Sequence, residues 1–132
     1  MTNRPRVLVA DDHPAMLESL VRLLSKDFEV VASVGDGLAV VATAARLEPD
    51  LLVLDIAMPG LNGIAAATRV KQSGSTAKVV FVTNLHDREF VQGSLALGEV
   101  GFVVKDRLVA DLLPAIRKVL SGQSFVSPSV VR

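Results

Sequence analysis

Four short apolar runs punctuate the chain: Val7-Leu8-Val9-Ala10, Leu51-Leu52-Val53-Leu54, Val79-Val80-Phe81-Val82 and Phe102-Val103-Val104. Each is too short for a helix, and together they are rich in β-branched residues, so they predict strands buried on both faces. A fifth run, Phe28 to Ala32, is broken by Glu29 and predicts an edge strand with one wetter face. Between the runs the apolar spacing changes to the helical period. Pro14 stands at a first-turn position, with Leu17, Leu20, Val21 and Leu24 following on one face. A second helix opens at Asp36 or Gly37 and runs through Arg46 until Pro49 ends it, and a third spans Ile64 to Ser73, closed by Gly74. Asp87 to Leu97, with Gly98 behind, predicts a fourth. Leu108, Leu112, Ile116, Val119 and Leu120 line one face of a fifth. Pro114 removes a backbone donor from that last pattern, so a helix start near Val109 to Asp111, or a bend, is expected.

Strands alternating with helices five times imply βαβ units, hence a doubly wound α/β fold with a mainly parallel sheet covered on both faces. After Gly122 the segment GQSFVSPSVVR has no periodicity long enough for another element and reads as a linker. The expected organisation is one domain over residues 1–122 and a linker over 123–132.

Composition narrows the function classes. At 132 residues, half of them hydrophobic, the chain can bury a core without disulfide or metal staples. Fourteen basic residues balance fourteen acidic ones, so no net field draws the domain onto a phosphate backbone or an anionic membrane. The absence of cysteine excludes disulfides and thiolate metal sites and agrees with a cytoplasmic location. No run approaches the roughly 20 apolar residues of a membrane span.

The chemistry sits at the ends of the apolar runs. Asp11 and Asp12, then Asp55, then Thr83, then Lys105 each follow a predicted strand at its carboxyl end, where open parallel sheets place their ligand crevice. Singly, each has a structural explanation: an Asp after a strand is usually a turn or cap residue, and a lone Thr or Lys is usually a satisfied strand end or a surface group. Together they do not, because three carboxylates drawn close repel unless a cation lies among them. An all-oxygen site open to water suits magnesium, whereas zinc or copper wants nitrogen or sulfur. With the acids held ionised, a carboxylate can take a phosphoryl group as an acyl phosphate, and a lysine and a hydroxyl can neutralise and orient the phosphoryl oxygens. His13 and His86 lack a partner at zinc-ligand spacing and read as loop or cap residues. Gly35-Asp36-Gly37 lacks a phosphate-loop pattern and reads as a turn.

The segments VLVADDHP, LLVLDIAMPGLNG, VVFVTN and GFVVKD resemble the signature segments of two-component response-regulator receiver domains, over about residues 5 to 122. The opening DDHP and the trailing GQSFVSP are similar to those of the NarL/FixJ (LuxR-type) subfamily. The resemblance implies a flavodoxin-like (βα)5 three-layer sandwich with a five-stranded sheet in the order 2-1-3-4-5. It implies that Asp55 is the phosphorylation site, that Asp12 binds magnesium directly and Asp11 mainly through water, and that the backbone carbonyl of Ala57 completes the protein ligands. Thr83 and Lys105 would contact the phosphoryl group, Phe102 would occupy the aromatic switch position, and Pro59 and Gly63 would shape the loop after Asp55. The implied partners are a sensor histidine kinase, a second copy on activation, and DNA through a helix-turn-helix domain absent from this sequence. The expected role is a phosphorylated switch controlling transcription, not an enzyme. The rival readings are a receiver-like interaction module and an aspartyl-phosphate hydrolase. The hydrolase is disfavoured because Ala57 stands where that chemistry wants a second Asp. Ala57 and Asn84 depart from common family choices and imply an altered phosphoryl lifetime; Glu99 replaces a usual small residue.

Overall fold

A computed structural model describes residues 4–84 and 97–127. The helix expected over Asp87 to Leu97 falls, but for its last residue, outside the described residues, as does His86. Two compact units divide the chain, residues 1–77 and 78–132.

In the first unit, β1 (Arg6–Ala10), β2 (Glu29–Val34) and β3 (Leu51–Leu54) pair in the order β2-β1-β3, all parallel. Val7 to Ala10 and Leu51 to Leu54 are wholly buried, as uninterrupted apolar runs require of strands covered on both faces. β2 is the half-exposed edge that Glu29 foretells, with an extra residue opposite Val7-Leu8. α1 (Pro14–Leu24) begins on Pro14, whose missing N–H is not needed in the first turn. α2 (Gly37–Leu47) is capped by Asp36, whose carboxylate accepts from the Ala39 N–H at 2.8 Å. α3 (Gly63–Gln72) is capped in the same way by Asn62, bonded to the Ala65 N–H at 2.8 Å. α1 and α2 both pack on β1 and β2, and α2 packs on α3. The far end of α2 is closed by a residue distant in sequence: the Arg6 guanidinium donates to the carbonyls of Leu47 at 2.8 Å and Glu48 at 3.1 Å, a cation on a helix C-terminus. Glu48 turns the chain there in the left-handed region, at φ 48°.

Two glycines are required by close approach. A Cβ on Gly63 would overlap the carbonyl oxygen of Asp55, and one on Gly37 would overlap the carbonyl oxygen of Leu61. In each case the neighbour is backbone, which cannot swing aside as a side chain can.

In the second unit, β4 (Lys78–Thr83), β5 (Val100–Val104) and a short β6 (Phe125–Val126) pair in parallel in that order. A 3-10 turn, Lys105–Arg107, leads into α4 (Leu108–Leu120), which packs on all three strands. Gly101 on β5 lies under Ala115 of that helix, where a Cβ would crowd Val80 as well.

Two expectations are corrected. The last helix starts at Leu108, not between Val109 and Asp111, and runs through Pro114: the preceding 3-10 turn hands over directly to α-helix, and the apolar face of Leu112, Ala115, Ile116 and Val119, all buried, outweighs one missing N–H. The segment after Gly122 is not featureless, because Phe125–Val126 adds a sixth strand beside β5. Two residues have too little pattern to signal a strand; the exposed edge of β5 supplies the partner.

A buried polar cluster fastens this addition. Asp111 accepts from the Arg107 guanidinium at 2.8 and 3.2 Å and from the Ser127 hydroxyl at 2.8 Å. The Arg107 hydrogen bond draws the Asp111 carboxyl below its usual value of 3.8 despite burial, and Ser127 assists. A lowered folded-state value means that the contribution is fully present above the unfolded value and is lost as pH falls through the folded one. The melting-temperature gap between the parent and Asp111→Asn is therefore expected to be widest near neutrality and to narrow as pH drops below 3.8. Gly63→Ala is expected to cost at least about 2 kcal/mol in urea unfolding, since backbone must shift to admit the methyl group.

Candidate functional site

The acidic site of the first unit is built by strand register. Ala10 of β1 lies opposite Leu54 of β3, so the next residues, Asp11 and Asp55, emerge side by side. Main-chain bonds hold both: the Asp55 N–H donates to the Ala10 carbonyl at 2.9 Å, and the Asp11 N–H to the Val34 carbonyl at 3.2 Å. Both aspartates are almost wholly buried, at 1% and 3% exposure, whereas Asp12 is exposed. Carboxylate oxygens of Asp11, Asp12 and Asp55 and a ring nitrogen of His13 all lie within 4.8 Å of one another. Such a donor set, mostly hard oxygen with an open side, fits a magnesium ion.

His13 belongs to this group, which its isolation in the sequence did not suggest. It occupies the N-cap position of α1, but its side chain makes no cap bond; its backbone N–H donates to Asp11 Oδ1 at 2.9 Å. The ring Nδ1 lies 3.3 Å from Asp11 Oδ1 and 3.1 Å from Asp12 Oδ1. The signal available in sequence was position alone, immediately after two strand-end acids.

The loop after β3 runs beside Asp55. The Gly63 N–H donates to the Ile56 carbonyl at 2.8 Å, and the absent Cβ of Gly63 leaves room for the Asp55 carbonyl. The Ala57 N–H points at Asp55 Oδ1 at 3.4 Å, a long contact. Ala57 and Pro59 are exposed, so the face beside Asp55 carries a methyl group where a longer polar side chain would reach inward.

In the second unit Thr83 ends β4 opposite Val104 of β5, and Lys105 follows directly. Thr83 is buried and Lys105 half-buried, so a hydroxyl and an ammonium leave adjacent strands at the same end. Phe102 on β5, three residues before Lys105, is wholly buried. Asn84 is exposed, and Glu99 is exposed in the turn before β5, where its size meets no packing constraint.

The response regulator receiver domain family matches residues 7–117. This chain belongs to that family. The receiver is 33% identical over 129 residues to the response regulator GacA of Pseudomonas viridiflava, covering 96% of this chain and 60% of that protein. It therefore spans about three fifths of the length of that curated relative. Among solved structures, a LuxR-family two-component response regulator from Aurantimonas sp. SI85-9A1 superposes with a TM-score of 0.90 at 28% identity, over 97% of this chain and 93% of that one. A structure of two RcsB dimers bound to two parallel DNAs superposes with a TM-score of 0.86 at 26% identity, over 97% of this chain and 66% of that one. The receiver thus has the doubly wound, flavodoxin-like α/β fold with flanking helices and is of the LuxR/NarL type, with the expected neighbours 2-1-3 and 4-5 found within the respective units and β6 added beside β5. Among the described residues, no helix is long and apolar enough to cross a membrane.

Three carboxylates at this spacing repel by about 1 kcal/mol per pair in a water-like medium and by more where buried. In chelator, Asp12→Asn is expected to raise stability by about 1 kcal/mol, and in saturating magnesium that advantage should vanish or reverse, because the parent gains more from the ion. Urea unfolding with and without magnesium measures both.

Proposed function

We propose that Asp55 of this receiver accepts a phosphoryl group from a phosphohistidine of a sensor histidine kinase and that the resulting charge switches the domain's surface toward a transcriptional output. The observation that carries this reading is the in-register placement of Asp11 and Asp55, with Asp12 completing a carboxylate cluster within 4.8 Å. A protein gains nothing in stability from gathering these acids; a phosphoryl acceptor with a divalent ion needs them.

In this reading Asp11, Asp12, Asp55 and the Ala57 carbonyl hold magnesium, which, when bound, neutralises the acids and the incoming phosphoryl oxygens. A carboxylate oxygen of Asp55 attacks phosphorus, the phosphorus–nitrogen bond to the donor imidazole breaks, and an acyl phosphate results. Lys105 balances the charge of the phosphoryl oxygens and the Thr83 hydroxyl donates to one of them. Thr83 and Phe102 relay the change along β4 and β5, a local charge event biasing a packed two-state element. Ala57 leaves the acceptor less shielded from its side of the loop, which alters the phosphoryl lifetime. Residues 1–122 carry the body of the switch, and 123–132, whose Phe125–Val126 pairs with β5, lead toward an output segment, by analogy with the longer relatives. Dimerisation and DNA contact through such an output domain follow the same analogy to the DNA-bound RcsB dimers. The domain itself is a switch and not a turnover enzyme.

Intact mass after incubation with acetyl phosphate and magnesium tests the reading. One phosphoryl adduct is expected on the parent, absent in Asp55→Asn and prevented by chelator. No adduct from either acetyl phosphate or a histidine-kinase donor, with magnesium still bound, would overturn it in favour of a receiver-like interaction module.

A further inference from the structure

The turn that carries Lys105 is held on both sides by one buried cluster. On its upstream side, the Val104 N–H donates to the Ser127 hydroxyl at 3.2 Å, and the Ser127 N–H donates to the Phe102 carbonyl at 2.8 Å. On its downstream side, Arg107 closes the 3-10 turn and grips Asp111 with a two-pronged contact at 2.8 and 3.2 Å. The two sides meet where the Ser127 hydroxyl donates to Asp111 Oδ2 at 2.8 Å. Ser127 is wholly buried and Asp111 nearly so, at 5% exposure. Ser124 adds a weaker stitch at the other end of β5, accepting from the Val100 N–H at 3.3 Å.

We propose that Ser127, Asp111 and Arg107 are positioning residues for Lys105, coupling phosphoryl occupancy at the acceptor site to the attachment of the 124–127 strap. The inference rests on the phosphoacceptor reading above and deepens it by naming what fixes the lysine. The backbone on both sides of Lys105 is anchored, from Phe102 to Val104 by the strap and at Arg107 by α4. Removing the Ser127 hydroxyl frees the Val104 amide and strips Asp111 of one donor at once. Loss of one hydroxyl therefore loosens both anchors, leaving two buried polar groups short of a partner. Whatever the strap contributes to holding Lys105 in place for the phosphoryl oxygens, phosphoryl occupancy must contribute equally to holding the strap, since coupling between two binding equilibria is reciprocal.

The test uses the full chain, magnesium and beryllofluoride as the phosphoryl probe, at a temperature well below the melting point of every variant. Ser127→Ala and Arg107→Gln are expected to weaken beryllofluoride affinity at least about fivefold, with magnesium affinity little changed and Ser127→Thr, which keeps the hydroxyl, restoring most of the loss. Amide exchange at Phe125 to Ser127 is expected to slow when beryllofluoride binds the parent. A merely structural strap would lower the melting temperature of Ser127→Ala yet leave beryllofluoride affinity within about twofold of the parent, and that outcome overturns the proposal. Arg107→Gln, at a partly exposed position, keeps the question open to measurement if Ser127→Ala does not fold. A parent that binds magnesium but takes neither beryllofluoride nor phosphoryl refutes the acceptor reading itself, and with it this inference; a parent that binds beryllofluoride while its variants do so equally refutes the inference alone.

Discussion

Main-chain pairing of β1 with β3 places two acids where side-chain electrostatics alone would never gather them. Ala10 and Leu54 are register partners, the Asp55 amide is bonded to the Ala10 carbonyl, and the strands behind are sealed in apolar packing. Asp11 and Asp55 cannot separate without breaking the sheet. The repulsion is thus stored in a frame too rigid to relax, and the gathered carboxylates form a group that could hold a small hard cation. Asp12 and His13 join the cluster from the start of α1 because Pro14 begins the helix immediately afterwards.

The loop beyond Asp55 follows from the same frame. Its chain must turn back past the Asp55 carbonyl to start α3, and the space there admits a hydrogen but not a methyl at Gly63. Gly37, at the start of α2, meets the carbonyl of Leu61 from the same loop in the same way. Two helix starts are therefore packed against one loop at backbone distance, which holds Ala57 close to Asp55 without a side-chain tether. The design gains precision by removing atoms.

The second unit shows a different way of fixing a residue at a strand end. Lys105 stands at a strand end that is closed by a two-residue strand and a buried serine. β5 would otherwise be a sheet edge with unpaired amides on that side. The strap that covers it brings a hydroxyl rather than only a backbone, and α4 answers with a carboxylate that is itself paired with Arg107, so the buried charge keeps its partners. Stability and positioning come from the same bonds.

The sequence by itself determined the longer described strands, most helix starts and the placing of the candidate site residues at strand ends, because these are set by local rules. Runs of buried β-branched residues, Pro14 at a first turn, Asp36 as a cap and polar residues at strand ends all act within a few positions of one another. Tertiary structure alone decided what depends on chain segments meeting at a distance. Arg6 caps a helix about forty residues away; Gly63 is set by the carbonyl of Asp55 and Gly37 by that of Leu61. His13 joined the acidic group although nothing in its spacing resembled a metal ligand. The Phe125–Val126 strand and the Asp111–Ser127 bond were invisible for the same reason, since two residues carry no period and a serine reveals its hydrogen-bond partner only when a particular strand edge and helix are already beside it.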